Sequence, residues 1–385
     1  MNYGRFFAFF GLVLIFWGCS SLSQRQVASQ AEPDRRGKII ITNRIQTPWE
    51  IRQVQEPIIL PNPKDPTRLI MFYSAYAASG TGAIGKAWAF ISDPFAWHQD
   101  SQNPIFVPSR RSSLRTPSQW DSHSLRIDSV LYIPEEDSYY IYYSGSSAMV
   151  QDQIGLAIVK TGPDGYSDIT EANIVRFGLT PILSPDPEPP FYEVMSSQGA
   201  VYREWNQSTQ AWDWYMYYSY RGLDGILPGI RLATSHDGKT WTRQWNENDP
   251  RKMGQIFLST PNAYYEWHQI FKTGDSYVLS IEVGVDQGTR WRPVIAVSSR
   301  PDQGWKQLDV DTYLQTKWKG LYSDSTIYHV ATPAFYPIEG KWYLFTQACG
   351  NPPSGIYLDG SWEMWGFSCN HPGPTLPGGE LFCTP

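Results

Sequence analysis

Short stretches in which aromatic or apolar residues alternate with other residues recur along most of the chain. The clearest ones are LIMFYS at 69–74, YYIYYS at 139–144, WYMYYS at 214–219, YVLSIE at 277–282 and WYLFT at 342–346. Runs of this length, rich in aromatic and β-branched residues, are typical of β-strands. Amphipathic helical periodicity is not sustained over three turns anywhere beyond the N-terminal segment. The pattern predicts an all-β protein.

These strands belong to a repeat. Aligning Tyr73, Tyr143, Tyr218, Ile281 and Thr346 gives steps of 70, 75, 63 and 65 residues. An apolar strand precedes each copy across a turn, and most copies are followed by a third strand, at 87–92, 154–159, 230–235 and 294–299. A turn and an aromatic residue often close the unit. Five such units predict a five-bladed β-propeller of four-stranded antiparallel blades, in one domain that covers 46–385 and ends in a C-terminal tail.

The N-terminal segment has a different pattern. One cation, Arg5, precedes an apolar run from Phe6 to Trp17 that ends at Gly18 and Cys19. The run is short for a membrane span and has the length of a signal-peptide core. Its end resembles a bacterial lipobox, which implies that Cys19 is lipidated and that 1–19 is a lipoprotein-type signal peptide. An ordinary cleaved signal peptide is the alternative.

The segment 20–45 is rich in Ser, Gln and Arg, which predicts a flexible tether. Either kind of signal peptide places the protein outside the cytoplasm, and lipidation would hold it at the cell envelope. No second long apolar segment follows in the sequence, so the lipid anchor is the one membrane attachment that we expect.

Composition narrows the classes of partner. The chain has 17 Trp, 24 Tyr and 17 Phe, which suits many short aromatic strands. A formal net charge of −6 without a basic stripe argues against nucleic acid as a partner. Beyond Cys19 the remaining cysteines are Cys349, Cys369 and Cys383, and their spacing does not match a zinc site. We favour a disulfide that stabilises the C-terminal region, and the sequence does not determine which two of these cysteines form it.

Several phrases of the chain resemble a known superfamily. They are 97–106 (WHQDSQNPIF), 126–131 (RIDSVL), 230–241 (IRLATSHDGKTW), 332–335 (TPAF) and 341–345 (KWYLF). Together they resemble the five-bladed propeller glycosidases, which include glycoside hydrolase families 43, 62, 32, 68, 117 and 130. The resemblance covers about 47–367. It implies a monomeric glycoside hydrolase that acts on a polysaccharide or oligosaccharide. A sialidase ranks lower, because 235–241 is one residue short of its Asp-box and occurs once.

Glycosidic hydrolysis needs a pair of carboxyl groups, one protonated and one ionised. The resemblance implies that the first-blade acid, Glu56, is the base or nucleophile. It implies that Asp128 in the second blade tunes the pKa values and binds a sugar hydroxyl. In the third blade the family has a glutamic acid as proton donor, whereas this chain has Gln198. An amide cannot donate a proton as an acid.

Three other residues are candidates for the missing proton donor. Glu193 lies five residues before Gln198, Glu266 lies in the fourth unit, and His329 lies in the fifth. A histidine donor from a late blade occurs in the agarose-fragment branch of the superfamily. We predict Glu56, Asp128, Glu193 and Glu266 as the catalytic set.

Polar and aromatic residues beside these acids are candidates for sugar binding. This predicted set comprises Asp121, Gln198, Trp267, His268 and His329. No cofactor is expected and no ligand cluster for a metal is visible at short spacing, although a structural or axial calcium ion with His329 as a ligand stays open.

Two alternatives to the hydrolase stay open. A catalytically inactive propeller that binds carbohydrate would explain Gln198. A phosphorylase would need a basic phosphate site, for which Arg290 and Arg292 are the candidate pair.

Overall fold

The computed structural model describes residues 38–41, 47–109, 119–148, 150–223, 228–244, 255–258, 263–285, 290–307, 329–349 and 363–369. The predicted signal peptide with Cys19, most of the predicted tether, and Cys383 lie outside these residues. Within the described ranges, no helix is long and apolar enough to cross a membrane. The described strands pair into antiparallel sheets, which we number I to V in chain order.

The first strand, β1 (Lys38–Ile41), precedes two regular sheets. Sheet I contains β2 (Gln53–Pro61), β3 (Arg68–Tyr76), β4 (Gly82–Phe90) and β5 (His98–Gln99). Sheet II contains β6 (Ser124–Ile133), β7 (Ser138–Ser146), β8 (Gln153–Lys160) and β9 (Val175–Arg176). In both sheets the strands lie side by side in chain order.

The remaining sheets repeat this order. Sheet III contains β10 (Glu193–Asn206), β11 (Ala211–Gly222), β12 (Gly229–Ser235) and β13 (Thr242–Arg243), and β14 (Gln255–Leu258) also pairs with β12. Sheet IV contains β15 (Ala263–Thr273), β16 (Ser276–Val285), β17 (Arg290–Ser298) and β18 (Lys306–Gln307). Sheet V contains β19 (His329–Ile338), β20 (Lys341–Cys349), β21 (Glu363–Cys369) and β1.

The structure confirms the predicted all-β propeller with four-stranded antiparallel blades. Sheets I, II, IV and V have four strands each, and sheet III has β14 in addition. The five aromatic stretches of the repeat lie in β3, β7, β11, β16 and β20, the second strand of each sheet. Alternating residues point to opposite faces of a strand, so each of these strands packs on both sides.

The N-terminal strand completes the last sheet. In β1, Lys38 pairs with Gly366 and Ile39 with Trp365 of β21. This strand lies inside the segment 20–45, for which the sequence predicted a tether, so sheet V includes part of that segment. Pairing of the chain's first described strand with its last one closes a propeller and covers an exposed sheet edge.

The first strands of the sheets contact one another in a closed ring. β2 contacts β6, β6 contacts β10, β10 contacts β15, β15 contacts β19, and β19 returns to β2. Three buried hydrophobic clusters fill the spaces between neighbouring sheets. Corresponding positions of the five first strands therefore lie around a common axis.

Two glycines of the repeat allow close packing of aromatic rings. A Cβ at Gly85 would lie 2.9 Å from the Tyr73 ring, and one at Gly155 would lie 2.5 Å from the Tyr143 ring. Larger residues would displace these rings, because interiors leave little room for an extra methyl group. The two glycines thus leave the room that both tyrosine rings need.

The strand register determines how far apart Cys349 and Cys369 lie. Cys369 pairs with Trp342 at one end of β20, and Cys349 lies at the other end. At a rise of about 3.3 Å per residue the two Cα atoms are roughly 20 Å apart, whereas a disulfide needs less than about 7 Å. A Cys349–Cys369 disulfide is therefore incompatible with this fold.

Candidate active site

Besides a shift between 193 and 195 in β10, each first strand has one register irregularity, and a polar or charged side chain lies at each of these five. The shifts fall between 55 and 58, 127 and 129, 197 and 200, 265 and 268, and 331 and 334. They contain Glu56, Asp128, Gln198, Glu266 and Thr332. A bulge re-aims the side chains at its centre and is common beside active sites.

Three of these bulge residues have a left-handed backbone. The φ angles are 59° at Glu56, 57° at Gln198 and 48° at Thr332. This region is uncommon for residues other than glycine and is an outlier for a β-branched residue such as Thr332. Such strain persists where the surrounding structure enforces it, and it clusters at functional sites. The ring of bulges is accordingly the place in the fold to look for chemistry.

Four carboxyl groups share one electrostatic environment at this ring. Glu56, Asp128, Glu266 and Glu282 each interact with the guanidinium group of Arg126. We call these four residues the axial acids. Arg126 itself forms an ion pair with Asp152. Burial raises the pKa of all four groups by more than Arg126, and Arg221 in the case of Glu266, lower it, which favours protonated axial acids near neutral pH.

Glu56 is 2% exposed, and its carboxyl group is incompletely paired. Gln55 Nε2 donates to Oε1 at 3.1 Å, while Oε2 has no partner of good geometry among the described residues. Burial raises the pKa of Glu56 to about 7, against the lowering effects of Arg126 and the Ser74 hydroxyl. Asp128 and Asp152 raise it further. The orphaned oxygen is suited to a polar ligand or water.

Asp128 is equally buried and better paired. The Ser144 hydroxyl lies 2.9 Å from Oδ1 and 2.8 Å from Oδ2. Burial raises the pKa of Asp128 to about 7, although Arg126, Ser144 and the Gly199 amide each lower it. The same Ser144 hydroxyl accepts a hydrogen bond from the main-chain N–H of Gln198 at 2.7 Å. Asp128 and Gln198 are thus held in register across two neighbouring sheets.

Glu266 and Glu282 lie opposite each other in sheet IV. Tyr265 pairs with Val283 and His268 with Ile281, so Glu282 on β16 faces the bulge that contains Glu266. Burial is the largest cause that raises the pKa of each group. Glu282 is raised well above its ordinary range, with added repulsion from Glu266 and Glu56. Its Oε2 accepts a hydrogen bond from the Thr332 amide at 3.0 Å.

Sequence reasoning missed Glu282 as a site residue. In the aligned repeat it follows Ile281 where Ser74 follows Tyr73 and Ser144 follows Tyr143. Ser74 and Ser144 accept hydrogen bonds from main-chain amides of the next sheet, as Glu282 does. An acid at a position that a buried serine fills in the first three units was the available signal.

Glu193 does not join the axial acids. Tyr218 donates to Oε1 at 2.8 Å, and Arg231 donates to the same oxygen at 2.6 Å. Arg243 and Ser196 donate to Oε2 at 3.0 and 3.1 Å. Both oxygens are occupied within the core, so the structure does not support Glu193 as a proton donor; it is a structural ion-pair centre.

Asp121 has the same kind of environment. Arg176 Nε lies 2.6 Å from Oδ2, Tyr143 donates to Oδ2 at 3.1 Å, and Ser109 donates to Oδ1 at 2.5 Å. The carboxylate is 1% exposed and is fully engaged. The predicted role in sugar binding is therefore replaced by a structural one.

Glu50 completes a threefold repeat of this arrangement. Glu50, Asp121 and Glu193 each contact a tyrosine of the second strand, namely Tyr73, Tyr143 and Tyr218. Each also accepts a hydrogen bond from the fourth strand of its sheet, from Gln99, Arg176 and Arg243. We call Glu50, Asp121 and Glu193 the anchor acids. They tie the entrance of the first strand to the outer edge of the sheet.

The fold has counterparts among solved structures. No family model and no curated protein matches the sequence. An α-L-arabinofuranosidase from Podospora anserina in complex with cellotriose has a TM-score of 0.59 at 10% identity, over 88% of this chain and 98% of that one. An endo-arabinase from Bacteroides thetaiotaomicron gives 0.54 at 11% identity, over 89% and 100%. The Cellvibrio cellulosa α-L-arabinanase complexed with arabinohexaose gives 0.52 at 14% identity, over 83% and 93%.

The chain shares the propeller fold of these glycoside hydrolases. At such low identity the likeness concerns the fold, and it is the axial acids that describe this chain's own chemistry.

Two predicted binding residues lie in the core of this propeller. Trp267 is 1% exposed and belongs to the cluster between sheets I, II and V. His268 is also buried, and its ring nitrogens lie 2.9 Å from Glu266 O and 2.5 Å from Tyr217 O. Neither ring is therefore placed to stack on a sugar. His329 begins β19, and its side chain lies outside the described residues, as do those of Arg290 and Arg292.

A cavity continues from the ring of bulges along the propeller axis. It has a volume of about 380 Å³ and is lined by residues that follow the bulges on β2, β6, β10 and β15. Asp128 contributes to its wall. Among the described residues, no group of three or more His, Cys, Asp or Glu side chains could hold a metal ion.

The arrangement can perform acid–base chemistry. Groups with a pKa near 7 can exchange protons in either direction at neutral pH, which is the property required of a general acid or base. Several buried carboxyl groups with raised pKa values around one axis are also a recognised mark of functional sites. Gln198, which is 5% exposed, can bind a hydroxyl group but cannot supply an acidic proton.

Proposed function

We propose that this protein is a glycoside hydrolase that cleaves a polysaccharide or oligosaccharide with the carboxyl groups at the propeller axis. The observation that carries the proposal is the convergence of Glu56, Asp128, Glu266 and Glu282 around Arg126. Cleavage of a glycosidic bond requires one protonated and one ionised carboxyl group. Burial raises the pKa of all four groups, and repulsion adds to it at Glu56 and Glu282, so protonated and ionised carboxyl groups can coexist in one site.

Glu56 is the base or nucleophile in this proposal. Its Oε2 is buried without a hydrogen-bond partner of good geometry among the described residues, so it can accept a proton from water or attack a sugar directly. Asp128 raises the pKa of Glu56. Both of its carboxyl oxygens lie within hydrogen-bond distance of the Ser144 hydroxyl. The main-chain N–H of Gln198 donates to Ser144, and its side chain binds a sugar hydroxyl beside Asp128 in this proposal.

The substrate class is proposed from the solved structures that share this fold. The relatives described above are an arabinofuranosidase and arabinanases. We therefore propose α-L-arabinofuranosyl linkages as the first substrates to test. We also propose that sheet III is a blade with β14 added at its edge, which makes the propeller five-bladed.

A location at the cell envelope is proposed on the sequence of the N-terminal segment. The apolar run that ends at Cys19 supports a lipid anchor, and the remaining chain would then act outside the cytoplasm as a monomer.

One observation favours a second function. Gln198 occupies the third bulge, where an acid would be expected in a hydrolase of this superfamily. A propeller without a proton donor would bind glycan without cleaving it.

Hydrolysis assays decide between the two functions. The purified full-length chain is incubated with aryl glycosides, including α-L-arabinofuranosides, and with arabinan and other plant and algal oligosaccharides. Cleavage of one substrate that E56Q and D128N lose supports the hydrolase. Binding on a glycan array without cleavage of any substrate supports the second function.

A further inference from the structure

Glu282 has a position that differs from those of the other axial acids. Glu56, Asp128 and Glu266 lie at bulges of first strands, whereas Glu282 lies on the second strand of sheet IV. It faces the bulge of its own sheet and reaches the bulge of sheet V. The main-chain amide of Thr332 donates to Oε2 of Glu282 at 3.0 Å, which fixes one carboxyl oxygen.

The Thr332 contact also explains a strained backbone. Thr332 has a φ of 48°, which is costly for a β-branched residue. Its amide donates to Glu282, and its Oγ1 is buried without a partner in the described part of the chain. The strained conformation therefore accompanies the hydrogen bond that holds one oxygen of Glu282 at the bulge of sheet V.

We propose that Glu282 is the proton donor of this active site, in place of the amide at Gln198. The inference rests on the proposed hydrolase function and names the acid that the function needs. In the step, the Glu282 carboxyl proton moves to the glycosidic oxygen as that oxygen's bond to the anomeric carbon breaks. A water molecule bonds to the anomeric carbon and gives its proton to Glu56. The balance is hydrolysis, with no further reactant.

Glu266 has a positioning role in this proposal. It lies opposite Glu282 across β15 and β16, and its charge favours the protonated form of Glu282. Glu193, the other acid near the third bulge, has both oxygens bound to Arg231, Arg243 and neighbouring donors. Glu193 therefore has no free proton or lone pair to offer to a substrate.

The test is substitution of Glu282 by glutamine in the full-length chain. A glutamine oxygen can still accept the Thr332 hydrogen bond, so E282Q keeps the structural contact and loses only the acidic proton. Hydrolysis is compared for glycosides with poor leaving groups, such as phenol, and with a dinitrophenyl group that leaves without protonation. The matched control is E204Q, because Glu204 binds Lys272 and Tyr277 outside the site.

A proton donor gives a specific pattern. E282Q should lose about 10²–10⁴-fold in kcat/KM on poor leaving groups and less than about tenfold on the dinitrophenyl substrate. The basic limb of its pH profile should disappear, and E266Q should move that limb to lower pH. An independent readout is the infrared absorption of protonated carboxyl groups at pH 7: E282Q should remove one component of this absorption, and E204Q should leave it unchanged.

The outcomes distinguish the assignment of Glu282 as proton donor from the proposed hydrolase function. If the wild-type chain hydrolyses a substrate and E282Q matches E204Q on every leaving group, the donor assignment is overturned while the hydrolase stands. If the wild-type chain cleaves no glycoside, including the dinitrophenyl ones, the hydrolase fails and the donor role fails with it.

Discussion

The anchor acids and the axial acids are two repeated sets of buried carboxyl groups with opposite chemistry. Asp121 and Glu193 accept hydrogen bonds or ion pairs at both oxygens, from arginines and hydroxyl groups. Glu56, in contrast, has an oxygen without a partner of good geometry in the described chain, and burial raises its pKa to about 7. Glu50 and Asp121 lie only six and seven residues before Glu56 and Asp128 in the chain.

The difference shows that burial alone does not mark a catalytic carboxyl group. A buried carboxylate whose donors satisfy it contributes to structure, and its loss leaves charged partners unpaired. A buried carboxyl group without such donors keeps a raised pKa and can exchange a proton. The comparison therefore predicts that substitutions of the anchor acids affect stability and that substitutions of the axial acids affect activity.

The largest expected effect is on catalysis. E56Q should reduce kcat by about 10³-fold, because the amide can neither accept the water proton nor attack the sugar. Steady-state kinetics on the best substrate from the panel measures this loss, and E204Q is the control. Retention of more than about a tenth of the wild-type kcat would contradict the role of Glu56.

The next largest effect is on stability. E193Q should lower the free energy of unfolding by about 3–5 kcal/mol, because Arg231 is buried and loses its carboxylate. Urea unfolding followed by tryptophan fluorescence measures the change. The matched control is E135Q, which breaks the ion pair of the exposed Glu135 with Arg203 and should cost less than about 1 kcal/mol. Equal losses in the two variants would remove the distinction between anchor and surface acids.

Stability should also depend on pH through Glu56. Its pKa is raised from 4.5 to about 7, so the unfolded chain ionises first as pH rises. The stabilisation is fully present below pH 4.5 and is lost as pH rises to about 7. Wild type should lose up to about 3 kcal/mol from this group across that window. E56Q should lack this part of the pH dependence, which unfolding series at several pH values would reveal.

A smaller effect concerns the coupling between two axial acids. Asp128 raises the pKa of Glu56, so D128N should move the acidic limb of the kcat/KM profile to lower pH. The profile is measured on an activated substrate that tolerates the loss in rate. A limb that stays in place would mean that Asp128 and Glu56 do not interact.

The smallest expected effect is that of Q198E. If Glu282 already donates the proton, an added carboxyl group at the third bulge should change kcat/KM by no more than about threefold. A rise of two orders of magnitude would instead show that the wild-type site lacks a donor and is built for binding.

The sequence predicted the repeat and three of the four axial acids for a physical reason. Alternation of aromatic residues is a local property, and Glu56 and Asp128 stand at equivalent positions before the repeated strands. The anchor role of Asp121 and Glu193 depends on Arg176 and Arg243, which lie 55 and 50 residues further along the chain. Contacts at such separations are set by the closed fold and cannot be read from local pattern.

Glu282 was hidden for a related reason. A glutamate within an aromatic strand has the pattern of a solvent-facing residue, and its approach to Thr332 of the next sheet appears only when the ring of first strands closes.

The most direct test measures activity and unfolding in parallel for E56Q and E193Q at neutral pH. The account predicts that E56Q loses about 10³-fold in kcat and unfolds at wild-type or higher urea, whereas E193Q unfolds at lower urea and keeps most of its activity while folded. The reverse pattern, an active E56Q beside a stable and inactive E193Q, would contradict the division into axial and anchor acids.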